Sequence, residues 1–233
     1  MSVDTPKVMI VGAGIGGLFL GMLLESLGCP YHIYERATEH RALGSVLALG
    51  ANVLPVFEQL GLLQQIEEIS LPCYSMELYR HDMTLFKSIE TDSVKETGYE
   101  SLLFERPKLY DVLLKQIPSE KITMGKRVLK IEEKDDQVII HCADNTSFEG
   151  DIVVGADGAY SSVRQSIYKR MENMGTLPKS DKDGHSIGSI CTVGVAQLPD
   201  LEKYPSLQAN RSSFAVTLGE NLRSVTIVSF ERA

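Results

Sequence analysis

Val8 to Val11 is an unbroken apolar run that stops at Gly12, the pattern of a central strand buried on both faces. From Ile15 to Leu27 the residues are helix-compatible and apolar almost all round, with Gly28 placed to end a helix and Pro30 to forbid its continuation. Tyr31 to Tyr34 then reads as a second strand closed by Glu35 and Arg36. Together these segments predict a βαβ-type opening.

Farther on, Leu54, Phe57, Leu60 and Leu63 recur at helical spacing and predict one helix over Val53 to Ile69, although Pro55 and Gly61 interrupt it. Cys73 to Arg80 and Met83 to Ile89 predict a hairpin turning at His81-Asp82, and Asp92 to Glu100 reads as a polar loop. Pro107 suits the first turn of a helix whose buried stripe is Leu109, Val112, Leu113 and Ile117. Alternation over Val128 to Glu133, Gln137 to Cys142 and Ser147 to Glu149 predicts a three-stranded meander, which leads into a second apolar strand at Asp151 to Val154. After Arg170 comes a polar loop to about Asp183, then three expected strands at His185 to Gln197, Ser213 to Leu218 and Arg223 to Glu231.

Composition narrows the classes. The chain has 233 residues, 43% of them hydrophobic and 23% charged, which is ordinary for one large or two small globular domains. A net charge of −8 and the absence of Trp make nucleic acid a poor partner. Cys29, Cys73, Cys142 and Cys191 are far apart and form no C-x-x-C pair, so neither a metal site nor a disulfide scaffold is expected, and reduced thiols in the cytoplasm are. Val8 to Leu24 is uncharged, but it carries five glycines, is slightly short for a span and lacks a basic leader, so no membrane segment or export signal is expected.

Two motifs carry chemistry. Gly12-Ala13-Gly14-Ile15-Gly16-Gly17 is a G-x-G-x-x-G between a predicted strand and a predicted helix. Gly12 allows the tight turn, Gly14 lets backbone approach a pyrophosphate, and Gly17 lets helix and strand pack closely, leaving the helix N-terminus facing the anion. Glu35, at the end of the second strand, is placed to accept hydrogen bonds from ribose hydroxyls and disfavours a 2′-phosphate there. That points to FAD or NAD(H) rather than NADP(H), with Arg36 the residue that could host such a phosphate. The second motif is Gly155-Ala156-Asp157-Gly158-Ala159-Tyr160-Ser161-Ser162-Val163-Arg164, a strand emptying into a glycine turn with a carboxylate at its tip and Ser161 or Ser162 able to cap the helix that follows. Singly these residues have ordinary explanations as turn dipeptide, cap and surface cation.

Together, the two motifs resemble the single-component FAD-dependent aromatic hydroxylases and epoxidases of the p-hydroxybenzoate hydroxylase fold, in which a G-x-G-x-x-G opening is followed by G-A-D-G-x-x-S-x-V-R. The chain matches the second pattern at Gly155, Ala156, Asp157, Gly158, Ser161, Val163 and Arg164. The resemblance implies that Asp157 and its neighbours lie near the FAD pyrophosphate. It also likens Arg41 to Asn52, including Gly44, to the loop beside the isoalloxazine ring, and Phe104 to Leu109 to the segment whose arginine, here Arg106, reaches the flavin side. The family's third motif, a Gly-Asp followed by Pro, has no counterpart, so the resemblance covers all 233 residues but only the N-terminal half of such an enzyme.

The expected fold is therefore α/β: a Rossmann-like FAD-binding domain (GR2-type) over residues 1–72 and 101–172, with a β-rich substrate domain over 73–100 and 173–233, C-terminally incomplete. The cofactor-binding candidates are Gly12, Gly14, Ile15, Gly16, Gly17, Glu35, Arg36, Gly44, Arg106, Asp157 and Gly158; no side chain announces a catalytic base. The resemblance implies an NAD(P)H-driven monooxygenase that uses FAD and O₂, through a flavin hydroperoxide, to hydroxylate or epoxidise a small aromatic or polyprenyl-type substrate. An NAD-dependent Rossmann reductase and a non-catalytic FAD-binding fragment are the alternatives. Apolar strand edges near Phe230 lead to the expectation of a homodimer or a second chain covering an open sheet edge.

Overall fold

In the computed structural model, which describes residues 5–40, 44, 46–90, 93–184, 212–219 and 223–228, the chain divides into two compact units, Met1–Arg41 with Tyr110–Cys191 and Ala42–Leu109 with Thr192–Ala233.

The first unit is built on a parallel sheet. Val8–Val11 (β1) and Tyr31–Tyr34 (β2) flank the helix Ile15–Ser26 (α1), and β1 is buried along its whole length, as an apolar run with no polar face requires. Its alternate residues serve two layers. Met9 and Val11, with Tyr34 of β2, pack against the meander, whereas Ile33 of β2 meets α1. There Gly21 lets the helix sit close: a Cβ at that position would lie 3.0 Å from Ile33 Cδ1 and 3.1 Å from Ile117 Cδ1. Gly28, at φ +65, ends the helix in the left-handed region, with the Cys29 amide donating to Leu24 O at 2.9 Å.

The second unit opens with Val46–Leu49 (β3), Leu54–Gln59 (α2) and Leu63–Glu68 (α3). Ser70–Arg80 (β4) and Leu85–Glu90 (β5) form a hairpin, followed by Ser93–Thr97 (α4), Leu102–Glu105 (β6) and Arg106–Leu114 (α5), which starts in the second unit and belongs to the first from Tyr110 onward. Back in the first unit come Ile122–Thr123 (β7), the meander Val128–Lys134 (β8), Gln137–Cys142 (β9) and Ser147–Gly150 (β10), then Ile152–Gly155 (β11) and Ser162–Asn173 (α6). Ser212–Leu218 (β12) and Arg223–Val228 (β13) return to the second.

The parallel sheet has the order β11-β1-β2-β7, so the strand that carries the first glycine motif lies beside the strand that carries the second, Val11 opposite Gly155. The antiparallel meander, in the order β10-β9-β8, contributes Val128, Ile140 and Cys142 to a core completed by Val163 of α6. Full burial of side chains such as Met9 and Ile140 stabilises the unit by about 1.5–3 kcal/mol each. In the second unit the sheet order is β13-β12-β4-β6-β3, with β5 paired to β4, and Leu71, Leu103 and Phe104 are buried, as are Phe57 and Ile66 from the helices.

Several local expectations are corrected. The helix over Val53 to Ile69 is two helices, because Gly61 adopts φ +71 and the Leu62 amide donates to Phe57 O at 2.8 Å, a glycine stop that apolar periodicity does not register. The polar stretch Asp92 to Glu100 contains α4, ended at Gly98 (φ +81). The segment resembling a flavin-side loop contains β3, paired with β6. The polar loop expected after Arg170 begins later, since α6 runs on to Asn173. β7 is short enough to escape any periodicity, and pairing with β2 alone defines it. The strand expected at His185 to Gln197, together with Cys191, Phe230 and Arg41, Ala42, Leu43 and Ser45, lies outside the described residues.

Candidate functional site

The parallel sheet brings the two glycine motifs together. Gly12 adopts φ +106, and a Cβ there would lie 2.5 Å from Ala156 O and 3.0 Å from Asp157 Cα. Gly17 is more constrained still, since a Cβ would fall 1.9 Å from Gly12 O. Both glycines are therefore required by the fold. Gly14 and Gly16 differ: a Cβ at either would meet nothing within 4 Å. Gly14 is the N-cap of α1 and supplies no side chain to the first-turn amides, and Ile15 opens the helix. The result is an open-faced loop whose backbone N–H groups and helix dipole are available to an anion.

Glu35 latches this loop. Its Oε2 accepts from the Ala13 amide at 2.7 Å and its Oε1 from the Ala37 amide at 2.8 Å. Each carboxylate oxygen has a second lone pair, so acceptor capacity remains for a hydroxyl. Arg36, the next residue, is exposed.

Asp157 sits at the tip of β11 with its two oxygens in unlike settings. Oδ2 accepts from the Ser162 amide at 2.6 Å, the Ser162 hydroxyl at 3.0 Å and the Val163 amide at 3.4 Å. Oδ1 is buried and makes no hydrogen bond. Burial pushes the Asp157 pKa up, but the hydroxyl and amide donors at the start of α6 outweigh it, so the carboxyl titrates below its ordinary value. Ser161 caps α6, its Oγ accepting from the Arg164 amide at 2.9 Å, and Arg164 donates to Ala159 O. Gly158, at φ +83, makes the turn.

The remaining two candidates meet in the second unit. Gly44 adopts φ +107, and a Cβ there would lie 2.6 Å from Arg106 Cδ, so the absence of a side chain lets the arginine stem cross the loop backbone. Sequence reasoning missed the Ser162 hydroxyl bond to Asp157 and the Glu35 latch; a carboxylate five residues before a Ser-rich helix start was the available signal for the first.

The set fits a dinucleotide. A buried, unpartnered Asp157 Oδ1 suits a ligand's donor, and two glycines facing open space beside a helix start without a side-chain cap suit an anion.

Fold and site thus define an α/β protein of the dinucleotide-binding class. A family model described as an FAD binding domain matches residues 5–183, and the chain belongs to this family, which includes FAD-dependent monooxygenases. It is 29% identical over 229 residues to the FAD-dependent monooxygenase olcE of Penicillium canescens, covering 93% of this chain and 48% of that protein. It is 31% identical over 167 residues to 6-hydroxynicotinate 3-monooxygenase of Pseudomonas fluorescens, covering 70% of this chain and 43% of that protein. Its fold matches that of Klebsiella pneumoniae HpxO, solved with FAD and uric acid, with a TM-score of 0.71 and 20% identity, covering 96% of this chain and 53% of that one. The chain spans about half the length of the curated relatives it matches. Among the described residues, no helix is long and apolar enough to cross a membrane.

Proposed function

We propose that this chain forms the FAD-holding part of an NAD(P)H-driven monooxygenase that uses O₂ to hydroxylate or epoxidise a small aromatic or polyprenyl-type substrate. The observation that carries this reading is the packing of Gly12 against Asp157, which joins an open glycine loop to a carboxylate with one unpartnered oxygen. What bound FAD supplies is two-electron redox chemistry and the activation of O₂.

The chain's residues bind and orient. Gly14 and Gly16 leave room for the pyrophosphate, and the α1 amides, from Ile15 onward, stabilise its charge. Glu35 accepts ribose hydroxyls on its remaining lone pairs, and its charge opposes a 2′-phosphate at that position, with Arg36 the countervailing cation. Asp157 and Gly158 bound the pyrophosphate side, and Arg106, crossing Gly44, serves the flavin side. In this reading 1–72 with 101–172 hold the cofactor, and 73–100 with 173–233 serve the substrate. The unbridged thiols of Cys29 and Cys142 support a reducing, cytoplasmic setting, and a homodimer partner or second chain beside the β-rich sheet is part of the same proposal.

The test is a flavin spectrum of the purified chain with titrated FAD stoichiometry, followed by NAD(P)H oxidation with added FAD and candidate aromatic substrates. Bound FAD near one per chain and substrate-stimulated oxidation are expected. Retention of NAD with no affinity for flavin would overturn the reading.

A further inference from the structure

We infer that Ser162 is a positioning residue for the cofactor: through its hydroxyl and its amide it holds one oxygen of Asp157 at the start of α6, and so orients the carboxylate with its other oxygen presented to accept a hydrogen bond from bound FAD. This rests on the FAD-binding reading and adds to it the means by which the carboxylate is oriented.

A carboxylate at the tip of a strand can turn its plane about the Cβ–Cγ bond and so aim its oxygens in different directions. Here that turning is opposed by geometry. Oδ2 receives two bonds from one residue, the Ser162 amide at 2.6 Å and hydroxyl at 3.0 Å, and a longer contact from the Val163 amide at 3.4 Å. The hydroxyl is itself held by its place in the first turn of α6, where Ser161 caps the Arg164 amide and the Ser166 hydroxyl donates to Ser162 O at 2.9 Å. Oδ1 is buried without any partner, a costly state unless a ligand donor satisfies it. An ionised carboxylate accepts only, so the group it meets is an O–H or N–H donor of the dinucleotide or an ordered water on it, and not a phosphate oxygen. Ser162 touches no cofactor in this account; it acts through Asp157.

The experiment is a double-mutant cycle on the full chain, read by FAD fluorescence titration and by melting of the FAD-free protein. Ser162→Ala keeps the backbone donors and loses the hydroxyl, and is expected to weaken FAD binding about five- to tenfold, the scale of one typical net hydrogen bond. Ser162→Thr, which restores a hydroxyl, is expected to recover the affinity. In an Asp157→Asn background, which places an amide where acceptor and cap compete, Ser162→Ala is expected to have no further effect on FAD affinity. Additive effects in the cycle, or loss of affinity in Ser162→Ala that merely tracks a loss of melting temperature and is not recovered by threonine, would overturn the role of Ser162. If the unaltered chain bound no FAD, the cofactor reading would fall and this inference with it; binding by the unaltered chain with an additive cycle would fell the inference alone.

Discussion

Glu35 Oε2 accepts the Ala13 amide at 2.7 Å, tying the end of β2 to the middle of the glycine loop that follows β1. Its other oxygen is engaged by the Ala37 amide at 2.8 Å, so one side chain fixes two turns of backbone. A residue type expected for ribose recognition is thus also part of the scaffold that shapes the glycine loop.

Glu35→Gln separates these duties poorly, and that is its use. The amide keeps one acceptor and sets an NH₂ group against the other backbone donor, so FAD-free stability should fall by about 1.5–3 kcal/mol, as for a charge-assisted hydrogen bond lost at a half-buried site. Urea unfolding of the FAD-free chain measures this, and unchanged stability would show that the latch contributes nothing.

The glycines should sort into two classes. Gly17→Ala, with its Cβ 1.9 Å from Gly12 O, and Gly12→Ala, 2.5 Å from Ala156 O at φ +106, should fail to fold or melt far below the unaltered chain. Gly14→Ala and Gly16→Ala, whose Cβ atoms meet nothing within 4 Å, should melt normally yet bind FAD at least tenfold more weakly, because a methyl group would occupy the space that the proposed function assigns to the pyrophosphate. Melting curves with and without FAD distinguish the classes.

Gly44→Ala should act through Arg106. The left-handed φ of +107 costs about 1–2 kcal/mol with a side chain, and the arginine stem must move aside. Flavin affinity should drop in Gly44→Ala and in Arg106→Ala, and the double variant should be no worse than the more affected single one; a fully additive pair would disconnect them.

Stability should form a plateau in pH. Hydrogen bonds from Lys121 and Lys126 lower Glu25 and Asp144 respectively, that from His141 lowers Glu132, and Asp157 is lowered despite burial. A folded pKa below the unfolded value contributes stability above that value, about 4, and loses it as pH falls. His32, held down by burial, adds a loss that begins below about pH 6.5 by the same sign. Burial raises Tyr34 to about 12 and raises Tyr31 as well, so their contribution is complete below the unfolded tyrosine value of about 10 and is lost above it. Melting temperature should therefore be flat between about pH 7 and 9 and fall on both sides. Tyr34→Phe should shallow the alkaline limb, and a limb unchanged by it would remove Tyr34 as a cause.

The elements legible in the sequence are those whose signal is local. β1, α1 and β2 follow from one apolar run, one helical stretch and one Gly-x-Pro stop, and the meander from period-two alternation between turns at Asp135 and Asn145, both with positive φ. Gly61 is visible in the sequence as a glycine within the helix, but the apolar spacing continues through it, so periodicity does not show that the helix ends there. α4 was hidden by polarity, being a single exposed turn with no buried face.

The sequence by itself determined that a strand, a glycine turn and a helix occur in that order, and that a second strand ends in Gly-Ala-Asp-Gly, because capping, turn geometry and periodicity depend on residues within a turn or two. Only the tertiary structure decided that these strands are neighbours, with Val8 opposite Ile152 across the intervening chain, and that Gly12 and Asp157 touch. Strand pairing is set by which buried faces can be covered together, a property of the whole core. The same applies to Asp157: its residue type is readable, but that one of its oxygens is held while the other is left unpartnered depends on the place α6 takes against β11.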